Sequence, residues 1–126
     1  MSIKKNVKMK TLVLGASENK QRYSNIAMNM LKDYQHEVVA VGNRTGEVNG
    51  IPFSKEKKDF QAVDTVTLYL GPQNQEEYID YVDSLNPRRV IFNPGTENPD
   101  WMDHLQKRGI ETEVACTLVL LRTNQY

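Results

Sequence analysis

The sequence predicts a single α/β domain, spanning residues 1–126, built on a mostly parallel five-stranded sheet. Three observations lead there. Apolar runs of strand length alternate with stretches of helical period. Those runs are nearly continuous, as in a sheet covered on both faces. Strand, helix and strand in repetition imply parallel pairing through right-handed crossovers. At 126 residues the chain is large enough for one buried core.

The strands are read at Lys10–Leu14, Glu37–Val41, Thr65–Leu70, Arg89–Phe92 and Ile110–Glu113. A first helix over Tyr23–Tyr34 places Ile26, Ala27, Met30, Leu31 and Tyr34 on one face. A second over Gln75–Leu85 turns Tyr78, Ile79, Val82 and Leu85 inward. Asn74 and Glu77 have capping-box spacing at its start, and Asn86-Pro87 stops it. A third over Pro99–Arg108 has Asn98 as N-cap, Pro99 at the first helical position and Gly109 as terminator. Residues 42–62 show no helical apolar face, so one crossover is expected to be a loop or short helix, with Asn49-Gly50 as a tight turn or hairpin tip. Residues 1–9 are expected to be a flexible N-terminal segment.

Composition narrows the function classes. Sixteen basic and sixteen acidic side chains leave the chain formally neutral, without the basic footprint of a nucleic-acid binder. No apolar stretch reaches the length of a signal peptide or a membrane span. The one cysteine, Cys116, cannot form an intramolecular disulfide, which fits a reducing compartment and makes the cytoplasm the default. Two distant histidines, His36 and His104, make neither a Cys–His nucleophile pair nor a metal cluster with Cys116.

The chemistry-bearing residues fall at the carboxyl ends of the strands. The first strand runs into Gly15-Ala16-Ser17, followed by Arg22-Tyr23-Ser24-Asn25 at a helix start. Backbone N–H groups and the positive end of the helix dipole then point at one spot, which suits a phosphate. Arg22 adds a fork-shaped guanidinium. The other strand ends carry Gly42-Asn43-Arg44, Gly71-Pro72 and Asn93-Pro94-Gly95. Open α/β sheets bind ligands at such ends, where strand order reverses. The dinucleotide fingerprint is incomplete, because Ser17 stands where its second glycine belongs and no acidic residue ends the second strand. Arg44 at that point keeps an NADP-type dinucleotide, and hence an oxidoreductase domain, open as an alternative.

The run Gly15-Ala16-Ser17 with Arg22-Tyr23-Ser24-Asn25, then Val39-Ala40-Val41-Gly42-Asn43, resembles the small stand-alone CoA-binding proteins. These share the Rossmann-like CoA-binding domain of the succinyl-CoA synthetase α subunit. The resemblance continues through Val90–Thr96 and Val114–Leu118, covering about Lys10–Leu121. It implies a Rossmann-like three-layer fold and binding of CoA or an acyl-CoA without catalysis. The diphosphate would lie on Gly15, Ala16 and Ser17, assisted by Arg22 and Ser24. Gly42, Asn43 and Arg44 would border the adenosine, Gly71 and Pro72 the middle, and Asn93, Pro94 and Gly95 the pantetheine side. The chain departs from the family at three places. Gly42-Asn43-Arg44 replaces an Asn-Pro or Ser-Pro followed by a basic residue, Val114-Ala115-Cys116 replaces Asp-Arg-Cys, and Gly71-Pro72 stands where others place an arginine. A further alternative is a partner-binding regulatory module with a vestigial crevice, its polar tail Arg122–Tyr126 packing across a homodimer or against a protein partner.

Overall fold

The computed structural model describes residues 8–126. The first seven residues of the expected N-terminal segment lie outside the described residues. Lys8 and Met9 are held: Lys8 Nζ donates to Tyr34 O, and the Met9 N–H donates to His36 Nδ1 at 2.9 Å.

Among the described residues seven strands form one sheet: β1 Thr11–Ala16, β2 Val38–Gly42, β3 Gly46–Val48, β4 Ile51–Ser54, β5 Thr65–Leu68, β6 Arg89–Phe92 and β7 Glu111–Val114. Their order is β3-β4-β2-β1-β5-β6-β7. All neighbours are parallel except β3 and β4. The fold is the Rossmann-like α/β class expected, with seven strands rather than five. The two additional strands are the hairpin β3–β4, inside the segment expected to be a loop or short helix. Val48, Ile51 and Phe53 are all buried, so the strands have an inward face of period two. The tip is Asn49-Gly50, with φ of 50° and 82°, the backbone that a two-residue hairpin of matching twist requires.

Among the described residues four α-helices cover the sheet: α1 Tyr23–Asp33, α2 Ile79–Leu85, α3 Pro99–Lys107 and α4 Thr117–Arg122. On one face, Leu12, Leu14, Val66, Leu68, Val90 and Phe92 pack under Tyr81, Val82, Trp101 and Leu105. Phe92 meets Trp101 edge-on, 5.7 Å between ring centres. On the other, Val13, Ala16 and Ala40 pack under Met28 and Leu31 of α1 and Leu121 of α4. The Asn98 side chain caps α3, accepting the Trp101 N–H at 3.3 Å. The expected Asn74–Glu77 capping box does not form. Residues 72–78 make two 3-10 turns before α2, because Gln75 is drawn inside: its Nε2 donates to Leu70 O and Thr96 O, both at 2.8 Å. The apolar segment before the tail, left unassigned by periodicity, is α4.

The tail turns back on its own domain. Tyr126 stacks edge-on against His36 at 4.9 Å, lies 4.5 Å beneath the Arg89 guanidinium, and shares a hydroxyl hydrogen bond with Thr11. Burial holds the His36 imidazole below its ordinary value; Lys8 and Arg89 act in the same direction and Asp64 opposes them. The unfolded chain therefore binds the proton better. Stability is full above the unfolded value of about 6.5 and falls as pH drops through it. His36→Gln, which keeps an acceptor and removes the titration, is expected to flatten the stability curve between about pH 7 and pH 5. An unchanged slope in urea unfolding contradicts this assignment.

Candidate functional site

Strand order reverses at β1, whose neighbours β2 and β5 lead the chain away to opposite edges. The carboxyl ends of β1, β2, β5 and β6 open there into a crevice of about 810 Å³, within the ~300–1,000 Å³ usual for small-molecule sites.

Its floor is the end of β1. Gly15 has φ of 101°, and a Cβ there would stand 3.0 Å from the Tyr69 carbonyl group. Only glycine combines that backbone with so close an approach. The register shifts between Leu14 and Ala16, so Gly15 and Ala16 belong to a bulge at the strand end rather than to the turn after it. A Cβ on Gly42 would lie 2.5 Å from Ala16 O. The end of β2 is thereby pressed against the end of β1.

The turn from β1 to α1 is held by its own polar groups. Ser17 Oγ accepts the Asn19 N–H at 3.0 Å, Asn19 Oδ1 accepts the Gln21 N–H at 3.0 Å, and the buried Asn25 donates to Ser17 O at 3.0 Å. Arg22 occupies the cap position of α1, but its side chain makes no hydrogen bond to the first turn. The N–H groups of Tyr23 and Ser24 have no backbone acceptor among the described residues. A helix start left open in this way, with its dipole and a guanidinium beside it, favours an anion.

Ten of the thirteen residues singled out from the sequence line the crevice: Gly15, Ala16, Ser17, Arg22, Ser24, Asn43, Arg44, Gly71, Pro94 and Gly95. Three lie elsewhere. Gly42 is beneath the wall, Pro72 points to solvent, and Asn93 is turned inward with 2% exposure. The Asn93 Nδ2 donates to Thr67 Oγ1 at 2.6 Å and Leu68 O at 2.8 Å, while its Oδ1 accepts the Thr117 N–H at 2.9 Å. It ties β5, β6 and α4 together under the site. The Gly95 N–H is taken by Glu97 at 2.8 Å, so Gly95 shapes the rim without offering a donor.

Sequence reasoning missed Glu18, Phe53, Tyr69, Glu77 and Tyr78, which also line the crevice. Tyr78 falls on the inward face of the second predicted helix; Phe53 had a signal in its two-residue spacing from Ile51. The others arrive through tertiary folding. Both carboxylates are already engaged. Glu18 accepts the Glu47 N–H at 3.0 Å, and Glu77 pairs with Lys57 at 3.3 Å. Among the described residues, Arg22 and Arg44 have neither an ion pair nor a side-chain hydrogen bond. The wall thus presents two uncommitted positive groups against two satisfied negative ones. Burial pushes the Tyr69 phenol up to about 12, against the pull of the nearby Thr117 and Thr67 hydroxyls; it remains protonated at neutral pH. His36 lies at the amino ends of the strands, away from the crevice, and His104 pairs with Asp83 at 2.8 Å on the helical face. Among the described residues no helix is long and apolar enough to cross a membrane.

Comparison with known proteins gives one family match and several structural likenesses. A family model described as a CoA binding domain matches residues 9–122. A crystal structure of an uncharacterized protein superposes with a TM-score of 0.93 at 45% identity, covering 96% of this chain and all of that one. A hypothetical protein from Pyrococcus horikoshii OT3 superposes at 0.85 with 22% identity, over 97% of this chain and 87% of its own. A protein from Thermus thermophilus superposes at 0.83 with 19% identity, over 98% and 94% respectively; these last two likenesses concern the fold alone. No curated protein matches.

Proposed function

The chain belongs to the CoA-binding domain family, and on that premise we propose that the crevice binds CoA or an acyl-CoA without chemistry of its own. The observation that carries this reading is the open start of α1 facing the Gly15-Ala16-Ser17 floor, with Arg22 beside it. A diphosphate lying there receives backbone N–H groups, the helix dipole and a guanidinium together. Asn43 and Arg44 border the adenosine end, Gly71 the middle, and Pro94 and Gly95 the pantetheine side. Gly42 and Asn93 contribute by holding those walls in place. Arg44 favours one alternative ligand, NADP, whose ribose also carries a phosphate.

A thermal-shift panel with CoA, acetyl-CoA, NAD, NADP and ATP separates the readings. A ligand at about a hundred times its Kd adds about 2.7 kcal/mol and moves the Tm by several degrees. The expected result is a shift with the two CoA compounds and none with the other three. A shift with NADP alone replaces CoA by the dinucleotide. No shift with any of the five leaves the crevice without its proposed ligand.

A further inference from the structure

We propose that Gln75 is a positioning residue for the crevice. It ties the lip after β5 to the lip after β6 and so holds the opening at the span its ligand needs. The inference rests on the CoA reading for its binding arm and adds to it a residue that does not line the crevice.

Gln75 stands at the joint between the two 3-10 turns, Pro72–Asn74 and Glu76–Tyr78, and is fully buried. A carboxamide out of reach of water has to find its partners inside the protein. Its Nε2 donates to Leu70 O and to Thr96 O, each at 2.8 Å. Its Oε1 accepts from Asn98 Nδ2 at 2.8 Å, and the oxygen of the same Asn98 side chain caps α3 through the Trp101 N–H. One side chain thus joins both lips to the start of a helix.

Leu70 and Gly71 line the crevice on the first lip, Gly95 and Thr96 on the second. The β5–β6 pairing ends at Leu68 and Phe92. Beyond it each lip closes on itself: the Asn74 N–H donates to Gly71 O, and the N–H and Oγ1 of Thr96 both donate to Asn93 O. Among the described residues, the hydrogen bonds that pass between 70–78 and 93–98 are the two that Gln75 makes with Thr96 and Asn98. Without Gln75 the Leu70 and Thr96 carbonyls lose a donor, and they regain one by opening to water. A crevice whose lips are closed for about a tenth of the time binds about tenfold more weakly, with every lining residue still present. A tie already made in the free protein removes that cost before the ligand arrives.

Two substitutions cut the tie and a third controls for lost stability. Gln75→Met keeps the length of the side chain and removes its hydrogen bonds. Asn98→Asp keeps an oxygen to cap α3 and puts another where the donor to Gln75 stood. Leu105→Ala truncates the core beneath α3, outside the crevice lining, and leaves the tie in place. CoA is titrated into each protein well below its melting temperature. NMR order parameters of the Gly71, Asn74, Gly95 and Glu97 amides are measured without ligand. Gln75→Met is expected to weaken CoA binding by about tenfold, Asn98→Asp to weaken it by less, and Leu105→Ala to leave it unchanged. In Gln75→Met the order parameters on both lips should fall from the ~0.85 of rigid backbone toward ~0.6, and in Leu105→Ala they should hold. Full CoA affinity in Gln75→Met, an equal loss in Leu105→Ala, or unchanged order parameters in folded Gln75→Met overturns the proposal and leaves the CoA reading standing. If Gln75→Met does not fold, Asn98→Asp decides by the same two readings. If the unmodified protein binds no CoA, the CoA reading falls and the order parameters alone decide the proposal.

Discussion

Asn93→Ala is expected to lower the unfolding free energy by about 3–5 kcal/mol. The carboxamide sits in a site with 2% exposure and makes three hydrogen bonds of 2.6–2.9 Å. Its loss leaves the Thr117 N–H at the start of α4 without an acceptor and the Leu68 carbonyl without this donor, among residues that are fully buried. Each buried group left unpaired costs about 1–3 kcal/mol. For a domain whose total stability is about 5–15 kcal/mol, that is a large fraction. Chemical denaturation with the m-value held constant measures it, and a loss below about 1 kcal/mol refutes the role assigned to this side chain. The same truncation should loosen the start of α4, which keeps the Thr67–Thr117 hydroxyl hydrogen bond at 2.8 Å as its other polar link to β5.

Ser17→Asp is expected to weaken CoA binding by roughly a hundredfold while leaving the fold intact. Ser17 Oγ accepts the Asn19 N–H, and an aspartate oxygen can accept it equally well. A carboxylate ahead of α1 also interacts favourably with the helix dipole. Stability should therefore hold or rise. Binding should not, because two like charges ~5 Å apart at a partly screened site repel by about 3 kcal/mol, which is about two decades in Kd. Opposite signs for stability and affinity are what identify an anion site here. A variant that binds CoA as the unmodified protein does removes the diphosphate from this turn.

The sequence carried the parallel α/β plan because the central strands are continuous apolar runs and α1 and α3 have clear periodicity and caps. It carried the hairpin only as a possible tip at Asn49-Gly50. With three and four residues, β3 and β4 are too short for a pattern, and Pro52 reads against a strand until its place facing away from the core is known. The 3-10 turns before α2 were illegible for another reason. Gln75 looks like an ordinary helix-start residue, and only the position of Leu70 O and Thr96 O draws it inward.

The candidate site divides in the same way. Glycines and small residues at strand ends announced the floor and lips of the crevice, since those shapes are local. Asn93 was placed at the right strand end but on the wrong side of the surface. Which way a terminal side chain turns depends on Thr67 and Thr117, distant in sequence. Glu18 entered for a similar reason, through its bond to the Glu47 N–H on β3.

The most direct measurement is a calorimetric titration of CoA into the unmodified protein at moderate salt, with Ser17→Asp as control. The account predicts a saturable isotherm with one site per chain that is lost in the variant. A flat isotherm with properly folded protein, or one that Ser17→Asp leaves unchanged, contradicts it.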